Sequence, residues 1–321
     1  DAHGSDLASA YHLCATTAAA LILAALACPG RYKLGMTSAI ATPTTRRLTR
    51  EDIVRLGQAG TPWEFLPVAL RALRQAPEDW GMRILAAAAF ARLGLVSFAA
   101  EQIQACPAEV CANPSVADLS RALAKMPRDR MDLPQLQATL EANLVALGHR
   151  GPDLTPHIAA WRTEASSWEW FRALDGNIVR RRGDEVRGLA DFRGMAARFI
   201  TQSLGRPGQD LSLFVIEGAD PPWLLMSSAE ASGRNATGFW PRLLLVQRDI
   251  AELLNGLAQT DLREILGQPR TSVFAGPDAA RALEADLRSR LGSRLMGAYI
   301  PQLGVGARLN PGPVEILEKI E

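Results

Sequence analysis

Histidine and cysteine are scarce, with four of each in 321 residues. His3, His12, His149 and His157 show neither metal-ligand nor triad spacing, so imidazole chemistry has no seat here. Cys14, Cys28, Cys106 and Cys111 are too few for a disulfide framework. The last two stand five apart with no second Cys or His pair to complete a zinc tetrahedron. They read as structural or incidental, and no metal is expected. Aromatics make up only 6% of the chain, which disfavours an all-β sandwich and favours helices. Charge of one sign is also missing: 35 Lys and Arg face 34 Asp and Glu, net +1, which gives no footprint of a nucleic-acid or anionic-membrane binder. What is abundant is apolar: 48% hydrophobic content excludes a disordered chain, and the length suggests two domains.

The first 45 residues stand apart. Leu13 to Cys28 (LCATTAAALILAALAC) is uncharged but shorter than the roughly 20 residues that span a bilayer, so no membrane span is expected. The residues before it, with Asp1, His3 and Asp6, supply no basic n-region for a secretory signal. The run ending Ala25-Leu26-Ala27-Cys28 is similar only in part to a lipoprotein cleavage box. A natural start at Met36 is the reading favoured here, against an ordinary helix or an export signal, and it makes the expected compartment the cytoplasm.

Residues 46–150 read as an all-helical domain. Thr49 is placed to cap a helix carrying Glu51 and Asp52 in its first turn. Gly60-Thr61-Pro62 ends that helix and opens a second over Trp63 to Gln75, which Pro77 stops. A third, almost wholly apolar, runs from Trp80 to Leu93, and a fourth carries Phe98, Ala99 and Ile103 before Pro107. Gly60 and Gly94 lie 34 residues apart, with Leu56 and Phe90 at the same offset ahead of them, a spacing that resembles two tetratricopeptide units. An irregular helical bundle with a coincidental repeat is the alternative. Either way each helix pair needs a neighbour to bury its apolar face, and the remaining face is expected to hold a protein partner or a second domain. Further helices are expected over Ser115 to Met126 and Leu133 to Leu147.

Past Gly151 the period changes. Trp168 to Leu174 and Ile178 to Arg182 flank Asp175-Gly176-Asn177 as a β-hairpin. Arg180, Arg181 and Arg182 would meet a phosphate or, more plainly, form a solvated edge. Then short apolar runs, Leu211 to Ile216, Arg242 to Val246 and Thr271 to Ala275, alternate with helices over Ala190 to Leu204, Pro221 to Ala231, Ile250 to Leu257, Asp261 to Leu266 and Pro277 to Leu291. That order predicts a parallel sheet buried on both faces, a Rossmann-like domain over 155–300, with 301–321 as a tail. The fold class is therefore α plus α/β. The carboxyl rim of such a sheet binds ligands, and there stand Glu217, Gly218 and Asp220 after the first run, Gln247 and Asp249 after the second, Gly276 and Asp278 after the third. A nucleotide or nucleotide sugar is the candidate ligand. Capping and turn roles compete for Asp220 and Asp278, and one glycine stands where a dinucleotide turn has three.

Pro241 to Ala279 (PRLLLVQRDIAELLNGLAQTDLREILGQPRTSVFAGPDA) carries a recognisable order. It resembles the amino-terminal Rossmann-like domain of motility-associated-factor-type bacterial glycosyltransferases, whose strand, leucine-rich helix, Asp-Leu helix, Pro-Arg turn and strand-to-helix junction match Leu243 to Asp249, Ala251 to Leu257, Asp261 to Leu266, Gln268-Pro269-Arg270 and Val273 to Ala279. FVIEGADPPWLL resembles that unit's first strand and loop. The resemblance implies helical repeats ahead of such a domain and a transferase domain after it. This chain has Gln247 where the family's second strand carries its first carboxylate, and it stops at Glu321 without length for a transferase domain. The expectation is thus a non-catalytic front portion of a glycosyltransferase-like protein. Two alternatives stand beside it: an S-adenosylmethionine-dependent methyltransferase-like enzyme, and a protein-interaction scaffold with a degenerate α/β domain.

Overall fold

The structure, a computed structural model, describes residues 49–203, 213–233, 240–289 and 297–300. The apolar segment within 1–45 and the tail 301–321 lie outside the described residues. By its internal contacts the chain falls into two units, Asp1–Arg130 with Phe171–Val179, and Met131–Trp170 with Arg180–Glu321.

The first unit contains helices α1 (Arg50–Ala59), α2 (Pro62–Gln75), α3 (Trp80–Arg92), α4 (Val96–Gln104), α5 (Ala108–Cys111) and α6 (Pro114–Leu123). Their starts are written locally. Thr49 with Asp52, and Thr61 with Glu64, form capping boxes, and Asp79 accepts the Met82 N–H at the head of α3. Arg50 reaches Asp79 at 2.8 Å, and that guanidinium holds the Asp79 carboxyl below the usual carboxylate range. Consecutive helices α1 to α4 pack in order, and α1 also touches α3. The 34-residue spacing does place Gly60 and Gly94 at the turns inside two successive helix pairs, but the turns differ. Gly60 is extended at φ −86°. Gly94 is left-handed at φ +74°, with Leu95 N–H returning to Phe90 O at 2.9 Å in a Schellman-type end.

Residues 171–179, the core of the expected hairpin, pack with these helices. Phe171 meets the Phe98 ring edge-on at 4.8 Å between centroids, and Trp63 donates from Nε1 to Asp175 at 2.6 Å. Leu174 donates its N–H to Leu93 O at 2.7 Å. Phe171, Ala173, Asn177, Ile178 and Val179 are all buried. Part of the surface of the helical array is thus covered by a later stretch of the chain itself.

The second unit contains α7 (Leu133–Leu147), α8 (Ile158–Ser166), α9 (Phe192–Ser203), and a parallel sheet of β5 (Leu213–Glu217), β6 (Arg242–Gln247), β7 (Thr271–Ala275) and β8 (Gly297–Ile300) with α10 (Trp223–Ala231), α11 (Ile250–Gln259), α12 (Arg263–Leu266) and α13 (Ala279–Ser289) between them. The chain also forms an antiparallel sheet, in the order β1 (Arg130–Met131), β2 (Glu169–Arg172), β3 (Ile178–Arg182), β4 (Glu185–Arg187). The architecture is mixed α/β. The parallel sheet runs β7-β6-β5-β8, so the first strand in sequence sits inside and the direction of winding reverses between β5 and β8. Leu213, Val215, Leu244 and Val246 face Ala279, Leu283 and Leu287 of α13 in one core. The alternate residues Phe214, Ile216, Leu243 and Leu245 are equally buried, and α10 and α11 pack against β5 and β6. Strands buried on both faces account for the continuous apolar runs.

Three features depart from the sequence reading. Helix α7 has the expected bounds but packs on α11 and α12, so it counts with the α/β unit and not with a helical domain 46–150. Its buried Asn143 explains the attachment: Nδ2 donates to Leu257 O at 2.7 Å and Thr260 O at 2.8 Å, while Oδ1 accepts the Leu262 N–H at 2.8 Å. Helix α8 was not read, and strand β8 adds a fourth parallel strand within what was taken as the end of the domain.

Candidate functional site

The rim residues come from the carboxyl ends of β5, β6 and β7, as the alternation of strands and helices required. Glu217 ends β5 opposite Val246 in register. Gly218 and Gly276 both adopt left-handed backbone, φ 90° and 89°, and turn the chain off their strands. Gly218 donates to Val246 O and Gly276 to Gln247 O, each at 3.0 Å. Gln247 is the centre of the arrangement. Its Oε1 accepts the Ala219 N–H at 3.0 Å and its Nε2 donates to Glu252 at 2.7 Å, so one buried side chain joins the β5 loop, the end of β6 and helix α11.

Asp220 is drawn inward as well. One carboxylate oxygen accepts from Arg180 at 2.7 Å and the other from Gln259 at 2.6 Å, and the two charged side chains are only 14% and 8% exposed. The Arg180 guanidinium also lies 5.1 Å from the Trp170 ring centroid and 5.8 Å from that of Trp168. Of the arginine triplet, Arg180 therefore neither awaits a phosphate nor decorates a solvated edge. Arg181 pairs with Glu169, and Arg182 with Glu164 and Glu185. Asp249 caps α11, accepting from Ala251 N–H at 2.8 Å and Glu252 N–H at 3.3 Å. Asp278 stands apart, exposed, with Arg281 3.6 Å away.

The loop after β5 decides what this rim can hold. A phosphate at a helix amino end needs several free N–H groups converging on it. Here the Gly218 and Ala219 amides are engaged by Val246 O and Gln247 Oε1, and Pro221 and Pro222 have no N–H to offer. Pro222 is the cap of α10, which lacks a side-chain cap, and its first residues Trp223, Leu224 and Leu225 are buried. Helix α11 closes on the same loop: a Cβ built at Gly256 would collide with the Ala219 carbonyl oxygen.

The sequence reading missed Arg180, Gln259 and Glu252 as partners of this rim, because each comes from another element. Asn143 did leave a signal, a polar residue in register with Leu136, Leu140 and Leu147 on the apolar face of α7. Among the described residues no group of three or more His, Cys, Asp or Glu converges as a metal site, and no helix is long and apolar enough to cross a membrane. No family model, curated protein or solved structure matches this chain.

Proposed function

We propose that the chain is a non-catalytic binding module: a tetratricopeptide-like helical unit that engages a protein partner, and a Rossmann-like α/β unit that serves as scaffold. The observation that carries this reading is the loop after β5, whose Gly218 and Ala219 amides are bonded within the protein and whose Pro221 and Pro222 carry no N–H. Gln247 and Asp249, the side chains at the position where a nucleotide ribose would be held, are engaged in internal hydrogen bonds and a helix cap. The winding order and the Pro241 to Ala279 resemblance support descent from a glycosyltransferase-associated domain that has kept its frame. Glu51, Arg55, Glu64, Arg71 and Arg74 are exposed on α1 and α2 and are available to a partner.

A second reading, a nucleotide-sugar binder, is favoured by one observation. The sheet reverses its winding between β5 and β8, where open α/β sheets bind ligands. Thermal unfolding against nucleoside diphosphates, nucleotide sugars and S-adenosylmethionine separates the two. The binding-module reading expects no shift. A ligand at 100 times its Kd would add about 2.7 kcal/mol, and such a shift overturns it.

A further inference from the structure

We propose that Cys106 and Cys111 form a reversible disulfide at the end of α4, a redox modification site in the helical unit. Both thiols gather at the carbonyl end of that helix. Cys106 Sγ lies 3.4 Å from Gln102 O, and Cys111 Sγ lies 3.5 Å from the adjacent carbonyl, Ile103 O, and 3.6 Å from the carbonyl of Cys106 itself. The sequence makes this convergence local. Pro107 is extended at ψ 155° and turns the chain back, so the single turn of α5 carries Cys111 to the helix that Cys106 has just left. Among the described residues neither thiol is drawn off to a metal or another disulfide. Their environments are unequal, and the inequality sets the order of events. Cys106 is buried, and burial pushes its thiol up, with the neighbouring Cys111 adding to the effect; Cys111 is partly exposed.

The oxidant is a low-molecular-weight disulfide, RSSR. The Cys111 thiolate attacks one sulfur of RSSR, forms a mixed disulfide and releases RS⁻. Cys106 then loses its thiol proton and attacks Cys111 Sγ, expelling the second RS⁻. Two S–H bonds are lost, one S–S bond forms, and two electrons pass to RSSR, which leaves as two thiols. Reduction runs the same exchange backward. The oxidised state ties α5 to the last turn of α4.

Peptide mapping tests this on the full chain treated with glutathione disulfide, acid-quenched and alkylated. Trypsin releases residues 93–121 as one peptide holding both thiols and neither Cys14 nor Cys28. The expected product is that peptide lighter by two hydrogens and free of alkylation, returning to the doubly alkylated form after dithiothreitol. In the Cys106→Ser variant the glutathione adduct should persist on Cys111. A wild-type peptide that keeps glutathione on Cys111 with Cys106 alkylated, or that stays doubly alkylated, overturns the proposal. So does a cross-link from either thiol to Cys14 or Cys28.

Discussion

Asp220 carries a charge that the β5 loop could not bury alone. Its two oxygens are satisfied by Arg180 and Gln259, and Arg180 is sheltered by Trp168 and Trp170. Removing one partner of such a buried pair costs more than the pair contributes, because the survivor keeps its desolvation penalty without compensation. Asp220→Ala should therefore destabilise the protein by about 3–5 kcal/mol in urea unfolding. The double replacement Arg180→Met, Asp220→Leu should recover much of that loss. A cost below about 1 kcal/mol for Asp220→Ala, the range of exposed pairs, would show that the clamp contributes little.

Helix α11 gives the clearest case of an element placed by close approach. Exchanging Gly for Ala in a helix ordinarily gains about 1 kcal/mol through propensity. At Gly256 the added Cβ would meet the Ala219 backbone, which cannot rotate aside as a side chain would. The expected outcome reverses, a loss of about 1–3 kcal/mol with a lowered Tm, and a raised Tm would refute the contact. Local signals made many of these elements legible. β7 and α7 have the expected bounds, since turn residues and apolar periodicity are written within each segment. What an element packs against is not written there. α7 follows the helical half in sequence, yet the Asn143 contacts give it to the α/β unit. The rim was less legible: capping was expected at Asp220 and Asp278, yet Asp249 is the residue that caps α11, and Asp220 meets partners 40 and 39 residues away, a separation no local pattern reports.

Over the whole molecule the units interleave along the chain. The first unit takes in Phe171–Val179, and so is built from two separated stretches. A fragment of residues 49–130 lacks Phe171, Ile178 and Val179, all buried in the intact protein. That fragment should show helical far-ultraviolet circular dichroism without a cooperative thermal transition, and restoring residues 171–179 through a flexible linker should bring the transition back. A cooperative transition in the bare fragment would mean that the helices complete their own core. The same interleaving sets a timetable on the ribosome. Domains ordinarily fold in the order they are made. Here the helices emerge first but must wait, their Phe98 surface uncovered, until residue 179 has left the exit tunnel, by which time α7 and α8 of the other unit are already outside.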